Sequence, residues 1–424
     1  SIKNTKQILL RTMALFSWCI TSLLLYPSLA LIISTPPIHN FRVNSAFTTK
    51  QTTHSFFLPR VTTFLHASFE DLPSAYSTLQ SNNNNNNSPT TSSTSSSPPT
   101  TSYTLHASFE EIIHKYDAFI LDQFGVLHNG ANALDGAIEL VQHLVSQNKK
   151  LIILSNTSAP AAKALQKLPK FGFPEHSFSD AVTSGEESSK YCKEVYGSTG
   201  GEMGEISKAL MFTWDVNLPN NPRVTSLPEV YLQQCGSIEV STTVEEADFV
   251  LFHGSEVWYR GPSHDSTSLS PFITAGTFDN AVHDILQQCV ERELPAICAN
   301  PDYIVQTPSG DGIAHMPGKL ANYYEELGGT VTWFGKPGVE HFEACVAKLG
   351  LDKNRVAHVG DSLHHDIVGA VRAGIPNIFV TSGIHKKELG CEFGEMPGLE
   401  ILEGLMEEEV GDVRPTHVIS AFRL

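Results

Sequence analysis

The run Asp117-Ala-Phe-Ile-Leu-Asp122 limits what this chain can fold into more than any other stretch. Four consecutive apolar residues between two carboxylates read as a strand buried on both faces, which needs helices on either side of its sheet. Leu151-Ile-Ile-Leu-Ser155 and Arg355-Val-Ala-His-Val-Gly360 repeat the pattern, and Pro376-Asn-Ile-Phe-Val-Thr381 gives one more strand. Between them lie helical patterns, such as 136–147 with Ile138, Val141, Leu144 and Val145 on one face. Apolar strands alternating with helices predict an α/β fold with a Rossmann-like parallel sheet. Ligands of such sheets bind beyond the carboxyl ends of the strands, where Asp122 and Ser155 stand.

This alternation is interrupted from about 183 to 331, where a separate set of strands (Ala209–Thr213, Asp248–Phe252, Pro295–Ala299) and a helix at 279–292 predict an inserted α/β domain. Ser184-Gly-Glu-Glu187 reads as a capping box opening its first helix. The Ser-, Pro- and Gly-rich stretch 259–278 reads as a mobile loop. The first pattern then resumes: Thr332-Trp-Phe-Gly-Lys336-Pro reads as another strand end, and Val418–Phe422 as a last edge element. The expected organisation is a targeting region 1–64, a linker 65–104, a first half of the core 105–182, the insert 183–331 and a second half 332–424.

An apolar run from Met13 to Ala30, preceded by Lys3, Lys6 and Arg11, has the layout of a signal peptide, and Pro27 and its short length argue against a stable membrane span. Residues 35–64 are hydroxyl-rich and free of acids, which suits an organelle transit peptide. Import into a plastid-like organelle and entry into the secretory pathway both stay open. The hexapeptide Leu-His-Ala-Ser-Phe-Glu stands at 65–70 and again at 105–110, on either side of an Asn- and Ser-rich tract, and reads as a local duplication.

Lys and Arg number 28 against 45 Asp and Glu, and a formal charge of -17 repels nucleic acid. Seven scattered cysteines without a C-x-x-C pair read as reduced thiols rather than a disulfide or zinc framework.

Four predicted strand ends offer Asp122, Ser155, Lys336 and Asp361. Two carboxylates from different strands suit Mg²⁺, while a hydroxyl and an ammonium suit a phosphoryl group. Asp122-x-x-Gly-Val, Ser155-Asn156, Gly335-Lys336-Pro337 and Gly360-Asp361-x-x-x-x-Asp366, in this order, resemble the four motifs of the haloacid dehalogenase-like hydrolase superfamily. The insert between the second and third motifs, together with Asn300-Pro-Asp302, is similar to its subfamily IIA of nucleotide, sugar-phosphate and nitrophenyl phosphatases, so the insert would be a cap domain. The resemblance covers about 105–424.

It implies Asp122 as nucleophile, forming an aspartyl-phosphate, with Ser155 holding a phosphoryl oxygen and Lys336 bridging the two. Mg²⁺ would be held by Asp122, Asp361 and the main-chain carbonyl of Phe124, supported by Asp366, whose alternative reading is a helix cap. Asn156, Asn300 and Asp302 become candidate contacts to a small phosphorylated metabolite. His364 and His365, adjacent in sequence, read as surface residues.

The resemblance departs at Phe124, where these phosphatases usually carry a second Asp that protonates the leaving group and then activates water. General acid–base help is worth about 10² to 10⁴ in rate, or roughly 3 to 5 kcal/mol. Three expectations follow: a phosphatase that is slow, or whose leaving group needs little protonation, or that takes its acid from elsewhere, with His128 and the cap as candidates; a phosphate-binding or regulatory module; or a metal-independent dehalogenase-type hydrolase.

Overall fold

In the computed structural model the residues described are 103–197, 206–217, 228–277, 279–307 and 312–424. They belong to the unit running from Thr94 to Leu424. The expected targeting region, most of the linker and the first copy of the hexapeptide lie outside them. The first half contributes β1 (Thr104–Leu105), β2 (Ala118–Leu121), β3 (Lys150–Ser155) and β4 (Asp180–Thr183). The insertion holds β5 (Lys208–Thr213), β6 (Glu239–Val240), β7 (Phe249–Phe252), β8 (Val257–Tyr259), β9 (Thr267–Ser268), β10 (Pro295–Cys298), the hairpin strands β11 (Ile304–Gln306) and β12 (Ile313–His315), and β13 (Thr330–Trp333). The second half returns with β14 (Val356–Gly360), β15 (Asn377–Val380) and β16 (His417–Ile419).

The first sheet is parallel throughout, in the order β1-β16-β15-β14-β2-β3-β4. Its central strand shows why an uninterrupted apolar run folds here. Phe119 and Leu121 enter one core cluster while Ala118 and Ile120 enter another on the opposite face. β3 repeats the division, with Leu151 and Ile153 on the first face and Ile152 and Leu154 on the second. Helices Ala137–Ser146 and Val339–Leu349 supply the covering side chains. Completely burying one such side chain contributes about 1.5 to 3 kcal/mol.

The chain leaves this sheet after β4, and Thr183 caps helix Ser184–Val195 by accepting from Glu186 N. The cap is therefore one residue earlier than the sequence pattern indicates, because Ser184 Oγ instead reaches the Thr157 and Ala299 carbonyls. The second sheet runs β13-β10-β7-β5-β8-β9, with β6 beside β5. Stretch 259–278, read as mobile, contributes β9 and helix Phe272–Ala275, because Leu269 and Phe272 are buried in the insert's own core.

Two further expectations are corrected. Thr330–Trp333 does not rejoin the first sheet; it pairs in parallel with Pro295–Cys298, so Lys336 follows a strand of the second sheet. The C-terminal segment does not form the edge, since β16 lies between β15 and β1. No helix among the described residues is long and apolar enough to cross a membrane.

Candidate active site

β14, β2 and β3 are neighbours and point the same way, so their carboxyl ends place Asp361, Asp122 and Ser155 side by side. Asp122 N donates to Val359 O at 2.9 Å, which carries the ladder one residue past β2 and fixes where the carboxylate begins. Gly125 follows in the turn with φ +80°, and a Cβ there would stand 1.9 Å from Asp361 Oδ2. Only glycine accepts both that backbone and that approach, and the two loops therefore close on each other.

Asp122, Asp361 and Asp366 are buried, with ligand-competent atoms all within 4.8 Å of one another. Lys336 Nζ lies 2.6 Å from Asp122 Oδ1 and 2.8 Å from Asp366 Oδ1. Asp366 is fully engaged: Oδ1 also meets His358 Nε2 at 2.8 Å, and Oδ2 accepts from Ser362 N at 3.0 Å. It sits inside a π-helical turn, Leu363–Ile367, while the cap of that turn is Ser362. Asp366 is thus not the helix cap. Asp361 Oδ2 accepts from Ile384 N at 2.7 Å.

These partners separate the three carboxyls electrostatically. Burial raises Asp122 to about 7 against the downward pull of Lys336. Asp361 is pushed well above the usual range by burial and then by repulsion from Asp122 and Asp366. Burial would raise Asp366 too, but Lys336 and His358 outweigh it and hold Asp366 below the usual range. Burial alone would lower Lys336; Asp122 and Asp366 outweigh it and keep the ammonium charged. When ionised, three carboxylates face this one ammonium among the described residues. Hard oxygen donors with excess negative charge fit a divalent cation, which Asp122, Asp361 and Asp366 are close enough together to hold.

Ser155 is buried beside them. Phe124 is half-buried in the turn after Asp122, its ring held edge-on to His128 at 6.0 Å, and a Cβ at Gly130 would be 2.9 Å from it. His128, considered as an alternative acid, is held neutral: burial lowers it to about 3, and its ring lies tilted against Phe171 with ring centres 4.3 Å apart.

Two of the expected substrate contacts bond to protein groups in this structure. Asn156 spends its amide on protein groups: Oδ1 accepts from Lys336 N at 2.7 Å, and Nδ2 donates to Asp302 Oδ1 at 2.8 Å. Asn300 uses Oδ1 to accept from Asp302 N at 3.1 Å. Asp302 alone of this group keeps a half-exposed carboxylate at the cleft. His365 is not a surface residue. Its Nδ1 lies 3.6 Å from Asp302 Oδ1, while its neighbour in the π-helical turn, His364, faces out. The pairing His358–Asp366, absent from the sequence reading, was signalled only by their spacing across a strand and a turn.

The chain is similar to known proteins of one family. Family models for haloacid dehalogenase-like hydrolases match residues 119–208 and 267–374, and a related HAD-hydrolase-like model matches 333–419. A 4-nitrophenylphosphatase of Schizosaccharomyces pombe is 23% identical over 297 residues, spanning 66% of this chain and 88% of the relative. An acid sugar phosphatase of Staphylococcus aureus is 22% identical over 279 residues, spanning 65% and 90%. Among solved structures, a haloacid dehalogenase-like family hydrolase from Brucella suis covers 74% of this chain and 98% of its own, with TM-score 0.53 and 22% identity. A possible sugar phosphatase from Cytophaga hutchinsonii covers 76% and 99%, with TM-score 0.54 and 19% identity.

Proposed function

The chain belongs to the haloacid dehalogenase-like hydrolases, and from that premise we propose that it is a Mg²⁺-dependent phosphatase of small phosphorylated metabolites, altered in rate or substrate by Phe124. The observation that carries the reading is Lys336 held between Asp122 at 2.6 Å and Asp366 at 2.8 Å, next to Asp361. An anionic nucleophile and an anionic phosphate repel; an ammonium in contact with the nucleophile offsets that repulsion.

In this reading an Asp122 oxygen attacks phosphorus, the bond to the leaving group breaks, and an aspartyl-phosphate forms. Water then attacks the same phosphorus, releasing phosphate and restoring the carboxylate. Ser155 donates to a phosphoryl oxygen. Asp122, Asp361 and the Phe124 carbonyl would hold Mg²⁺, which when bound would supply Lewis-acid stabilisation of the phosphoryl charge. Phe124 cannot donate a proton and His128 stays neutral, so the leaving group departs with little protonation from this loop. The segment through β4 and the segment after β13 form the catalytic core, and the insertion between them, which ends with β13, caps it. The first 64 residues direct the chain to a plastid-like organelle or the secretory pathway, which a fluorescent fusion of that segment tests.

Hydrolysis of 4-nitrophenyl phosphate by the full chain, dependent on Mg²⁺ and abolished by Asp122→Asn, is the expected result. A second reading, a phosphate-binding or regulatory module, draws on Phe124: Mg²⁺-dependent binding of a phosphate analogue without turnover would replace the first. Halide release without Mg²⁺ would select dehalogenase chemistry, for which Asp361 is the wrong residue because such a site is built without a metal.

A further inference from the structure

Building on the phosphatase reading, we infer that Asn156 is a positioning residue through which the cap loop Asn300–Asp302 sets the place of Lys336. Lys336 needs such a device. It arrives on a loop that leaves β13, a strand of the second sheet, yet its ammonium must meet Asp122 at the end of β2 in the first. Something belonging to the first sheet has to hold that loop.

Asn156, directly after β3 and 4% exposed, does so at both ends of one residue. Its Oδ1 accepts from Lys336 N at 2.7 Å, and its Nδ2 donates to Lys336 O at 3.3 Å. An amide side chain paired with the N–H and C=O of one residue acts like an extra strand and leaves that peptide little freedom. Gly335 tightens the fit: with φ +112°, a Cβ there would stand 2.5 Å from Asn156 Oδ1 and 2.8 Å from Pro301 Cγ. The motif after β3, the lysine loop and the cap loop therefore touch at a single point.

The cap enters through Asp302. Its carboxylate accepts from Asn156 Nδ2 at 2.8 Å, so the amide's nitrogen faces the cap and its oxygen faces Lys336 N. Only this orientation gives every donor an acceptor. Asp302 is in turn set by the cap, since Asp302 N donates to Asn300 Oδ1 at 3.1 Å and Gly318 N, in the first turn of helix Pro317–Glu326, donates to Asp302 O at 3.0 Å. A shift of the cap loop is passed to the Asn156 amide, then to the Lys336 peptide, and so to the ammonium beside the nucleophile. This makes Asn156 and Asp302 act on kcat through Lys336.

The test uses the full chain and the variants Asn156→Ala, Asp302→Ala, Asp302→Asn and the double alanine variant. With 4-nitrophenyl phosphate and Mg²⁺, Asp302→Ala should lower kcat about ten- to a hundredfold with little change in KM, the scale of displacing a catalytic group by on the order of an ångström. Asp302→Asn, which keeps an acceptor for Asn156, should restore most of it. The double variant should be about as slow as Asn156→Ala alone, the mark of two residues acting through one path. Amide exchange at Lys336 should quicken in Asp302→Ala and not in Asp302→Asn. Additive effects, or a change confined to KM, overturn the inference while leaving the phosphatase reading intact. If the wild-type chain turns nothing over, that reading falls, and the exchange of the Lys336 amide still decides: unchanged exchange in Asp302→Ala refutes the coupling.

Discussion

Lys336 Nζ stands 2.6 Å from Asp122 Oδ1, although the two residues come from loops that follow strands of different sheets. The contact is the point at which the inserted domain and the core become one site. It also explains why a lysine that is 3% exposed keeps its charge: Asp122 and Asp366 offset the cost of burying it.

Removing the ammonium should therefore cost both activity and stability. Lys336→Met leaves three buried carboxyls without their cation, and losing one partner of a buried pair typically costs about 3 to 5 kcal/mol. We expect turnover of 4-nitrophenyl phosphate to be lost and the denaturation midpoint to fall. Adding Mg²⁺ should recover part of the stability but not the turnover, as thermal unfolding beside kinetics would show.

The raised carboxyls predict the sign of the pH dependence. Asp122 (at about 7) and Asp361 bind protons more tightly folded than unfolded. Without metal, their contribution to stability is full below the unfolded value of about 4 and is lost as pH rises through the folded values. Mg²⁺ binds only the ionised pair. Its effect on the melting temperature should be near zero at about pH 5 and grow to several degrees by about pH 8. Asp366, held low by Lys336 and His358, contributes in the opposite sense and only in strong acid. An equal Mg²⁺ shift at both pH values would contradict this assignment.

Gly125→Ala should disable the metal site with little global unfolding. A Cβ there would collide with Asp361 Oδ2 at 1.9 Å, and φ +80° adds backbone strain. Strain of this kind costs about 1 to 3 kcal/mol, so the variant should fold, while titration calorimetry shows weakened Mg²⁺ binding.

Phe124→Asp restores a carboxyl two residues after Asp122. If the missing acid limits the rate, alkyl phosphates with poor leaving groups should gain up to about 10² to 10⁴ in kcat. Aryl phosphates should gain far less. A series of phosphate esters graded by leaving-group acidity measures this directly: wild type should show the steeper dependence. Equal gains across the series would mean that Phe124 limits something other than protonation.

How much of this was legible in the sequence follows from which interactions are local. The strands ending at Asp122, Ser155 and Gly360 could be read because each is apolar on both faces, and the two core clusters demand it. The strand at 330–333 looked like its neighbours, yet it pairs with Pro295–Cys298. Its letters do not say which sheet it joins. His365 was misread because Asp302, which it faces, belongs to the inserted domain, and no local pattern reveals that contact. Asn156 was recognised as part of the site, but its partners lie 146 and 180 residues away.

By itself, then, the sequence determined the parallel sheet, the order of its motifs and the identity of the acids at its strand ends. These depend on apolar periodicity and turn chemistry within a few residues. Only the tertiary structure decided that Lys336 crosses from the second sheet to Asp122, that Asp366 spends its oxygens on Lys336, His358 and Ser362 rather than capping a helix, and that Asn156 faces Lys336 and the cap. Each of those is a contact between segments distant in the chain, set by how two packed cores meet and by the need of every buried charge for a partner.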